Sequence, residues 1–418
     1  MKKTVRIAYF VFLSLILAAC TSFPYNPPSP TTPTPEEESA AAATTAPETP
    51  APQDEASQTL RIWLPPEFDP VAETDAGALL RARLDEFEKR RPGLNVEVRI
   101  KAPEGQASLL NALNAASQAA PSTLPDLIAL TSPDLEAATL QGLLHPIDGL
   151  TTLIDDPDWF SYARELAHIQ NTAYGLPFAG DTLAFLYRPN PENLSAPNWE
   201  MLQEQEIQLI FPADNPQSDL GLCLYNAMGG SFINEQGQPT LDEEPLTELL
   251  TFYQSEFISP AVTQYQSDEQ VWEAYRLQDS TVAIIWASRY LDEMPADSAL
   301  APIPGLEAES CSLATAWIWA LAGSNPDLQP VAVELAEFLS DSDFLAAWTA
   351  SAGYLPPRPT ALDSAQTALH EISLVAQPIP SNEIRLTLGT IFRDAALSVV
   401  QEHASPSAVA QSALESLE

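Results

Sequence analysis

The sequence is poor in cations, with 18 Lys and Arg against 57 Asp and Glu over 418 residues and a formal net charge of −39. Nucleic-acid binding depends on clustered cations that neutralise phosphates, so this balance excludes a nucleic-acid partner. Three Cys and four His leave little material for metal clusters, and the His have no ligand spacing, so no metal site is predicted. No Gly-x-Gly-x-x-Gly or phosphate loop follows a predicted strand, which argues against a nucleotide enzyme, and no cofactor is predicted.

The first nineteen residues have the pattern of an export signal. Three cations within the first six residues precede an apolar run over residues 8–19 that only Ser14 interrupts. The run is too short to cross a ~30 Å hydrocarbon core, which takes about 20 helical residues. It closes with Leu17-Ala18-Ala19-Cys20, which resembles the lipobox of bacterial lipoproteins. That resemblance implies cleavage before Cys20 and acylation of this residue, with ordinary cleavage at an Ala-x-Ala site as the alternative.

Residues 20–58 are interpreted as the lipidated Cys and a Pro/Thr-rich disordered tether. Residues 21–57 contain nine Pro and seven Thr, and such a segment cannot bury enough apolar surface to offset its ordering entropy. Extended at roughly 3.1 Å per residue, it would reach on the order of 100 Å. Acyl chains on Cys20 would hold the protein on the outer face of a cell membrane, in an extracellular or periplasmic location.

The body that follows opens with alternating strand and helix patterns. Alternation of apolar and polar residues predicts strands over 60–64 and 94–100, and a short, mostly apolar segment predicts a third, buried strand over 125–130. Helical spacing predicts helices over 76–91 and 106–119. This β-α-β-α-β order is typical of an α/β fold with a largely parallel sheet and helices on both faces.

Ligands of such sheets bind beyond the carboxyl ends of the strands. Glu67 follows the first predicted strand, and Thr131 and Ser132 follow the third. These three are candidate ligand-binding residues by position, with solvated loop residues as the alternative.

Short segments follow one another along residues 59–418 in a distinctive order. They include Leu60 to Trp63, Phe87 to Val96, Pro125 to Ile128, Gly142 to Ile147, Tyr174 to Phe178, Leu186 to Asn190, Met228 to Gly230, Ala283 to Trp286, Ala332 to Leu339 and Ala352 to Arg358. In this order they resemble segments of the extracellular solute-binding proteins (family 1) of sugar ABC importers, the family that includes maltose-binding protein.

The resemblance implies a two-lobe periplasmic-binding-protein-like fold of type II. One lobe would comprise residues 59–180 plus 300–345, and the other residues 181–299 plus 346–418. A sugar or oligosaccharide would bind in the cleft and favour hinge closure, and the closed monomer would deliver it to a membrane permease without catalysis.

The resemblance also indicates site residues in the second half of the body. Asp181 matches a carboxylate that accepts sugar hydroxyls, with capping of a turn as the alternative, and Trp286 matches an aromatic that stacks on sugar, with a core position as the alternative. The strand pattern, rather than the resemblance, adds Trp317 and Trp319, which share one face of a predicted strand with Thr315 and form either a binding wall or a bulky core. Tyr354 and Arg358 flank the Gly/Pro loop where the family closes its cleft.

Two departures from the maltose-binding members argue against maltose as the specific ligand. Residues 387–390 lack the Trp that those members place there, and Leu130 stands where they place an aromatic residue. Carbohydrate in general remains the predicted ligand class.

The remaining cysteines and one acidic run leave alternatives open. Export permits a disulfide between Cys223 and Cys311, but their apolar surroundings fit two buried free thiols equally well. Residues 155–158 contain three Asp, yet they lack the spacing of an EF-hand calcium loop, and helix capping is the preferred interpretation.

Three other functional classes compete with a sugar receptor. The same fold could bind a non-sugar solute such as a polyamine, peptide or polyol, and a cleft with unpaired carboxylates would favour a cationic one. An exported glycoside hydrolase would need two carboxylates facing each other across a sugar-sized gap, and no local pair has that context. An inert surface protein would not need an α/β body with a cleft.

Overall fold

Three parallel strands with intervening helices begin the body, as the sequence predicts. Strand β1 (Gln58–Leu64) pairs in parallel with β2 (Leu94–Ile100) and with β3 (Leu127–Thr131). Helix α1 (Asp75–Arg90) buries Leu80, Leu84 and Phe87 at helical spacing, and the side chain of Thr74 caps its first turn by accepting a hydrogen bond from the Gly77 backbone N–H at 3.0 Å. The predicted β-α-β-α-β opening is therefore confirmed.

The computed structural model describes residues 58–189, 196–306 and 309–417. The predicted signal over 1–19 and nearly all of the predicted tether over 20–58 lie outside these ranges. The further strands are β4 (His168–Ile169), β5 (Thr172–Ala173), β6 (Gly175–Tyr187), β7 (Gln208–Ile210), β8 (Thr281–Trp286), β9 (Ala299–Ala301), β10 (Ser312–Leu321) and β11 (Ala376–Pro378).

The α-helices that follow α1 alternate with these strands or pack in pairs. They are α2 (Leu109–Ala119), α3 (Ser132–Leu140), α4 (Ser161–Leu166), α5 (Trp199–Glu204), α6 (Asp219–Ala227), α7 (Glu243–Tyr253), α8 (Asp268–Leu277), α9 (Ala287–Glu293), α10 (Gln329–Leu339), α11 (Ser342–Ala352), α12 (Thr367–Val375), α13 (Asn382–Glu402) and α14 (Pro406–Glu415).

The chain passes between the two parts of the sheet within β6 and again between β9 and β10. All thirteen residues of β6 are buried. Its first half, up to Thr182, pairs with β10, and its second half, from Leu183, pairs with β8 and β9. The strand order is β2-β1-β3-β10-β6-β8-β7, with β9 beside β6 and β11 beside β10. Strand β10 is antiparallel to both β3 and β6, so the sheet is mixed rather than largely parallel.

A disulfide joins helix α6 to the start of β10. Cys223 in α6 and Cys311, directly before β10, have Cα atoms 6.2 Å apart and are separated by 88 positions in the sequence. Both residues are buried. The disulfide therefore ties α6 to the segment between β9 and β10, where the chain passes back from one part of the sheet to the other.

Breaking this disulfide is expected to lower the free energy of unfolding by about 2–4 kcal/mol, because the cross-link restricts a long loop of the unfolded chain. Differential scanning calorimetry with and without dithiothreitol measures the effect. The Cys223→Ala, Cys311→Ala double variant is the control, since its melting temperature should be low and insensitive to the reductant. An oxidised chain whose melt does not respond to dithiothreitol would contradict a stabilising bond.

Candidate ligand-binding cleft

Asp181 lies in the middle of β6, where that strand passes from β10 to β8. Its carboxylate accepts hydrogen bonds from the backbone N–H groups of Thr182 and Ser288, both at 2.9 Å, and from the Ser288 hydroxyl. Burial raises the pKa of Asp181 to about 6, although the Ser288 hydrogen bonds oppose the shift. Because Ser288 is in the first turn of α9, Asp181 holds the start of that helix.

An aromatic cluster lies on the β10 side of Asp181. The buried ring of Phe68 meets the rings of Trp317 and Tyr354 edge-on, with centroids 5.1 and 5.7 Å away. Trp317 and Tyr354 are both partly exposed. The pKa of Tyr354 is raised by burial first and then by the charges of Glu67 and Asp181, which places both carboxylates in its electrostatic range. We call Phe68, Trp317, Tyr354 and Glu67 the first half-site.

Glu67 combines an exposed position with a raised pKa. The residue is exposed to solvent in the short 3-10 turn Pro66–Phe68 that follows β1. Burial by the surrounding protein still raises the pKa of its carboxyl group, with partial opposition from a hydrogen bond to its own backbone. A carboxylate at the edge of an aromatic cluster can accept hydrogen bonds from the hydroxyl groups of a ligand.

Trp286 lies on the β8 side of Asp181 and forms the second half-site. It ends β8 opposite Leu183, two residues along β6 from Asp181. Its backbone N–H donates to Oδ2 of Asp268 at 2.7 Å, and its indole Nε1–H donates to Oδ2 of Asp219 at 3.3 Å. The side chain packs on the core yet remains partly exposed. The indole ring is thus held by core packing and a hydrogen bond while part of it stays accessible.

The hydroxyl groups of Thr131 and Ser132 form hydrogen bonds within the protein. The Thr131 hydroxyl accepts a hydrogen bond from the Asp134 backbone N–H at 3.3 Å and so caps α3. The buried Ser132 hydroxyl accepts from the Ala316 backbone N–H at 2.9 Å and donates to the Ala316 carbonyl at 3.0 Å. Ser132 therefore ties the start of α3 to β10.

Trp319 occupies the core, whereas Trp317 borders the first half-site. The Trp319 ring is 3% exposed and stacks on Phe178 with centroids 4.1 Å apart. The pairing of β10 with β6 shifts register between Trp317 and Ile318. Simple alternation along β10 could not account for that irregularity, which is why the sequence alone grouped the two Trp residues.

Arg358 is bound within the protein. Its guanidinium lies 3.0 Å from Asp158 and 3.4 Å from Asp156, and it donates to the Ser340 carbonyl at 3.2 Å. Burial alone would raise the pKa of Asp158, but hydrogen bonds from Thr360, Arg358 and Ser342 lower it below its ordinary value. These contacts give Arg358 a structural role. Asp156 and Asp158, from the acidic run 155–158, supply the carboxylates that bind its guanidinium.

Sequence reasoning missed four residues around Trp286. Asp219 and Asp268 are the first residues of α6 and α8, where the helix dipole favours an acid, so nothing in the pattern separated them from other acids. Ser288 and Arg385 have no motif context at all. Tertiary folding brings them together, because they come from four separate elements.

Asp268 gives the second half-site a measurable pH dependence. Burial, followed by the charges of Asp219 and Asp181, raises its pKa to about 7, while the Trp286 backbone hydrogen bond opposes the shift. Between the unfolded pKa near 4 and this value, the folded state binds an extra proton. The contribution of Asp268 to stability therefore falls as the pH rises through that window.

We expect Asp268→Asn to remove this pH dependence of the free energy of unfolding. Part of the side chain remains accessible, so the variant should gain only about 1–3 kcal/mol in unfolding free energy relative to the wild type between pH 5 and pH 8. Urea unfolding of both proteins at the two pH values measures the difference. A difference that does not change with pH would show that Asp268 is already ionised in the folded state at pH 5.

The described surface also contains a groove apart from these half-sites. A groove of about 630 Å³ runs along α7, but Glu243, Glu244 and Glu248 dominate its lining and none of the predicted site residues border it. Within residues 58–189, 196–306 and 309–417, no group of three or more His, Cys, Asp or Glu could hold a metal ion. The helices in the same ranges include none with the length and apolar content of a membrane span.

A family model for bacterial extracellular solute-binding proteins matches residues 82–372, or 291 of the 418 positions. The chain belongs to this family. The resemblance seen in the sequence is thereby confirmed, and the members of the family are binding proteins located outside the cytoplasm. A search of curated proteins found no match.

Solved structures share the fold at low sequence identity. The sugar-binding protein MalE of Xanthomonas citri aligns with a TM-score of 0.70 at 19% identity, covering 86% of this chain and 96% of its own. The maltose-binding periplasmic protein MalE of Listeria monocytogenes, in complex with maltose, gives 0.68 at 14% identity, with coverages of 87% and 97%. A solute-binding protein of Thermotoga lettingae bound to α-D-tagatose gives 0.61 at 18% identity, with coverages of 86% and 99%.

These neighbours establish the fold class. Their coverage extends over nearly the whole described body, and their architecture is the two-lobe, type II periplasmic-binding fold that the sequence predicts. In this solute-binding protein the two half-sites flank β6, the strand that pairs in both parts of the sheet.

Proposed function

We propose that this protein is the lipid-anchored receptor of an ABC importer and that it captures a sugar or oligosaccharide for delivery to a membrane permease. The observation that carries the proposal is the pair of half-sites on either side of Asp181. One presents Trp317 and Tyr354 with Glu67, and the other presents Trp286. No catalytic step is part of the proposal.

The chemistry of these half-sites suits a carbohydrate. A sugar has apolar ring faces edged with hydroxyl groups, so aromatic planes and hydrogen-bond acceptors bind it together. Trp286, Trp317 and Tyr354 supply the planes, and the Glu67 carboxylate supplies an acceptor. Two of the solved relatives are named with bound maltose and tagatose, which supports this ligand class.

The strand arrangement supports a hinge between two lobes. We assign one lobe to residues 59–180 plus 300–361 and the other to residues 181–299 plus 362–418. The sequence-based division put 346–418 in the second lobe, but Trp348 and Tyr354 pack against Phe68, and Arg358 pairs with Asp158. The first boundary lies beside Thr182 and Leu183, where β6 leaves β10 and joins β8. Rotation about β6 and β10 would bring the half-sites together around a ligand, and the ligand would stabilise the closed state through contacts with both.

The N-terminal features complete the proposal. Acylation at Cys20 would anchor the protein on the outer face of the membrane, and the tether over residues 20–58 would give the body reach to find the permease. The formal charge of −39 favours a solvent-facing body.

A thermal-shift and calorimetric panel tests the ligand class. The chain from residue 21 onward is screened with maltose, maltotetraose, D-tagatose, spermidine and a tripeptide. At a sugar concentration 100 times its Kd, binding contributes about 2.7 kcal/mol to stability, so the melting temperature should rise. A rise with spermidine or the tripeptide, and with none of the sugars, would replace the carbohydrate proposal by a receptor for that solute.

A further inference from the structure

Three carboxylates from three different elements converge on residues 286–288. Asp219 begins α6 and accepts the indole N–H of Trp286 at 3.3 Å. Asp268 begins α8 and accepts the backbone N–H of Trp286 at 2.7 Å. Asp181 in β6 accepts the backbone N–H of Ser288 at 2.9 Å. The side chain of Trp286, its backbone and the helix that follows it are therefore each held by a separate acid.

Arg385 fixes the acid that holds the indole. Its Nη2 lies 3.2 Å from Oδ1 of Asp219, and the two side chains are only 11% and 7% exposed. The same nitrogen donates to Oε1 of Gln217 at 2.8 Å. The two oxygens of Asp219 are thus divided between Arg385 and Trp286, which forms a relay from α13 through α6 to the end of β8.

A glycine one turn along α13 allows this relay to form. A Cβ atom at Gly389 would lie 2.4 Å from the Pro216 carbonyl oxygen and 2.8 Å from that of Gln217. Because Arg385 and Gly389 are four residues apart, they share one face of the helix. The close approach at Gly389 presses that face against the segment before α6 and brings Arg385 to Asp219.

This arrangement exceeds what a packed Trp needs. A core Trp requires apolar contacts and one acceptor for its N–H, and a neutral carbonyl would serve as that acceptor. Here the acceptor is a buried carboxylate with its own cation, which makes the hydrogen bond stronger and more directional. Fixing the ring before a ligand arrives lowers the ordering cost of binding.

We infer that Asp219, held by Arg385, is a positioning residue that pre-orients Trp286 for ligand stacking, while Asp268 and Asp181 fix the backbone beneath the ring. The inference deepens the proposed function and rests on it, because Trp286 must contact the ligand. The charged groups facing this relay are Asp268 from α8, Asp181 from β6 and Arg385 from α13.

An NMR experiment on the chain from residue 21 onward tests the relay without any ligand. The indole nitrogens are labelled with ¹⁵N, and Trp286→Phe identifies the Trp286 resonance. We expect Asp219→Ala to shift that resonance and speed its exchange with water, and Arg385→Met to shift it less. Asp219→Asn keeps a hydrogen-bond acceptor, so its Trp286 resonance should lie closer to that of the wild type. Asp214→Asn is the control, because the Asp214 carboxylate accepts a hydrogen bond from Gln266 and not from Trp286. The Trp286 resonance should not move in this variant.

A double-variant cycle tests the effect on binding, with maltose, maltotetraose and D-tagatose as probes. Asp219→Ala should weaken a bound sugar about 3- to 10-fold, yet add no further loss when combined with Trp286→Phe, which lacks the indole N–H. Additive losses would mean that Asp219 acts independently of Trp286 and would overturn the inference. An unmoved Trp286 resonance in Asp219→Ala would also overturn it.

The two proposals fail differently. If none of the three sugars gives heat with the wild type, the carbohydrate proposal falls, while the indole resonance still decides whether Asp219 holds Trp286. If Asp219→Ala does not fold, as judged from its melt, Asp219→Asn is used in both the NMR experiment and the binding cycle. A smaller shift of the Trp286 indole resonance and a smaller loss of sugar affinity are then expected.

Discussion

Replacing Trp286 with alanine is expected to weaken sugar binding at least about 30-fold, because a stacking aromatic at the centre of a site contributes on the order of 2 kcal/mol or more. Trp286 is only partly buried at the end of β8. The melting temperature of the unliganded variant should therefore fall by only a few degrees. Isothermal titration calorimetry with the best sugar of the panel measures the affinity, and scanning calorimetry measures the melt.

Trp199→Phe is the matched control for this variant. The Trp199 indole donates to the Pro304 carbonyl at 2.9 Å, and its ring packs against Phe252 and Phe257, away from both half-sites. Its affinity should equal that of the wild type. If Trp286→Ala binds sugar normally, or unfolds before ligand is added, Trp286 is a core residue and the second half-site is misplaced.

The second large effect concerns stability rather than binding. Arg358→Ala is expected to lower the free energy of unfolding by about 3–5 kcal/mol, because it leaves Asp158 in a mostly buried site without its cation. The Asp158 side chain is 17% exposed and that of Arg358 is 9% exposed. The sugar affinity of the folded variant should not change, since Arg358 is bound to protein groups.

Arg393→Ala separates this network from an ordinary surface pair. Arg393 contacts Asp394, whose side chain is 62% exposed, so its removal should cost less than about 1 kcal/mol. Urea unfolding and calorimetry on both variants measure stability and affinity together. A loss of affinity without a loss of stability in Arg358→Ala would restore the ligand-binding role that the sequence suggests.

Local pattern predicted the elements that begin the body because their burial is regular. Strand β1 alternates, and α1 places Leu80, Leu84 and Phe87 on one face, so periodicity alone located both. Strands β6 and β10 are buried on nearly every residue. Uniform burial removes the alternating signal, and the bulge at Trp317 disturbs it further, so the roles of Trp317 and Trp319 could not be separated in advance.

Some of the predicted site residues are partly exposed in the structure, and others are bound to protein groups. Trp286 and Tyr354 were predicted by resemblance and Trp317 from the face of a predicted strand, and in the structure all three are partly exposed. Arg358 was predicted by resemblance and Ser132 from its position after a strand, but their polar atoms are bound to protein groups. A residue type at a given position does not reveal which partners the fold supplies.

The sequence by itself determined the family, the α/β class and the export-signal pattern of the first twenty residues, because these depend on composition, periodicity and the order of short segments. The tertiary structure alone decided which acids are bound to protein groups and which remain exposed. Asp219, Asp268 and Asp181 are distant in sequence, and they share hydrogen bonds with residues 286–288 only because the starts of α6 and α8 and the middle of β6 meet there. Hydrogen bonds act over about 3 Å, so only the folded chain can specify them.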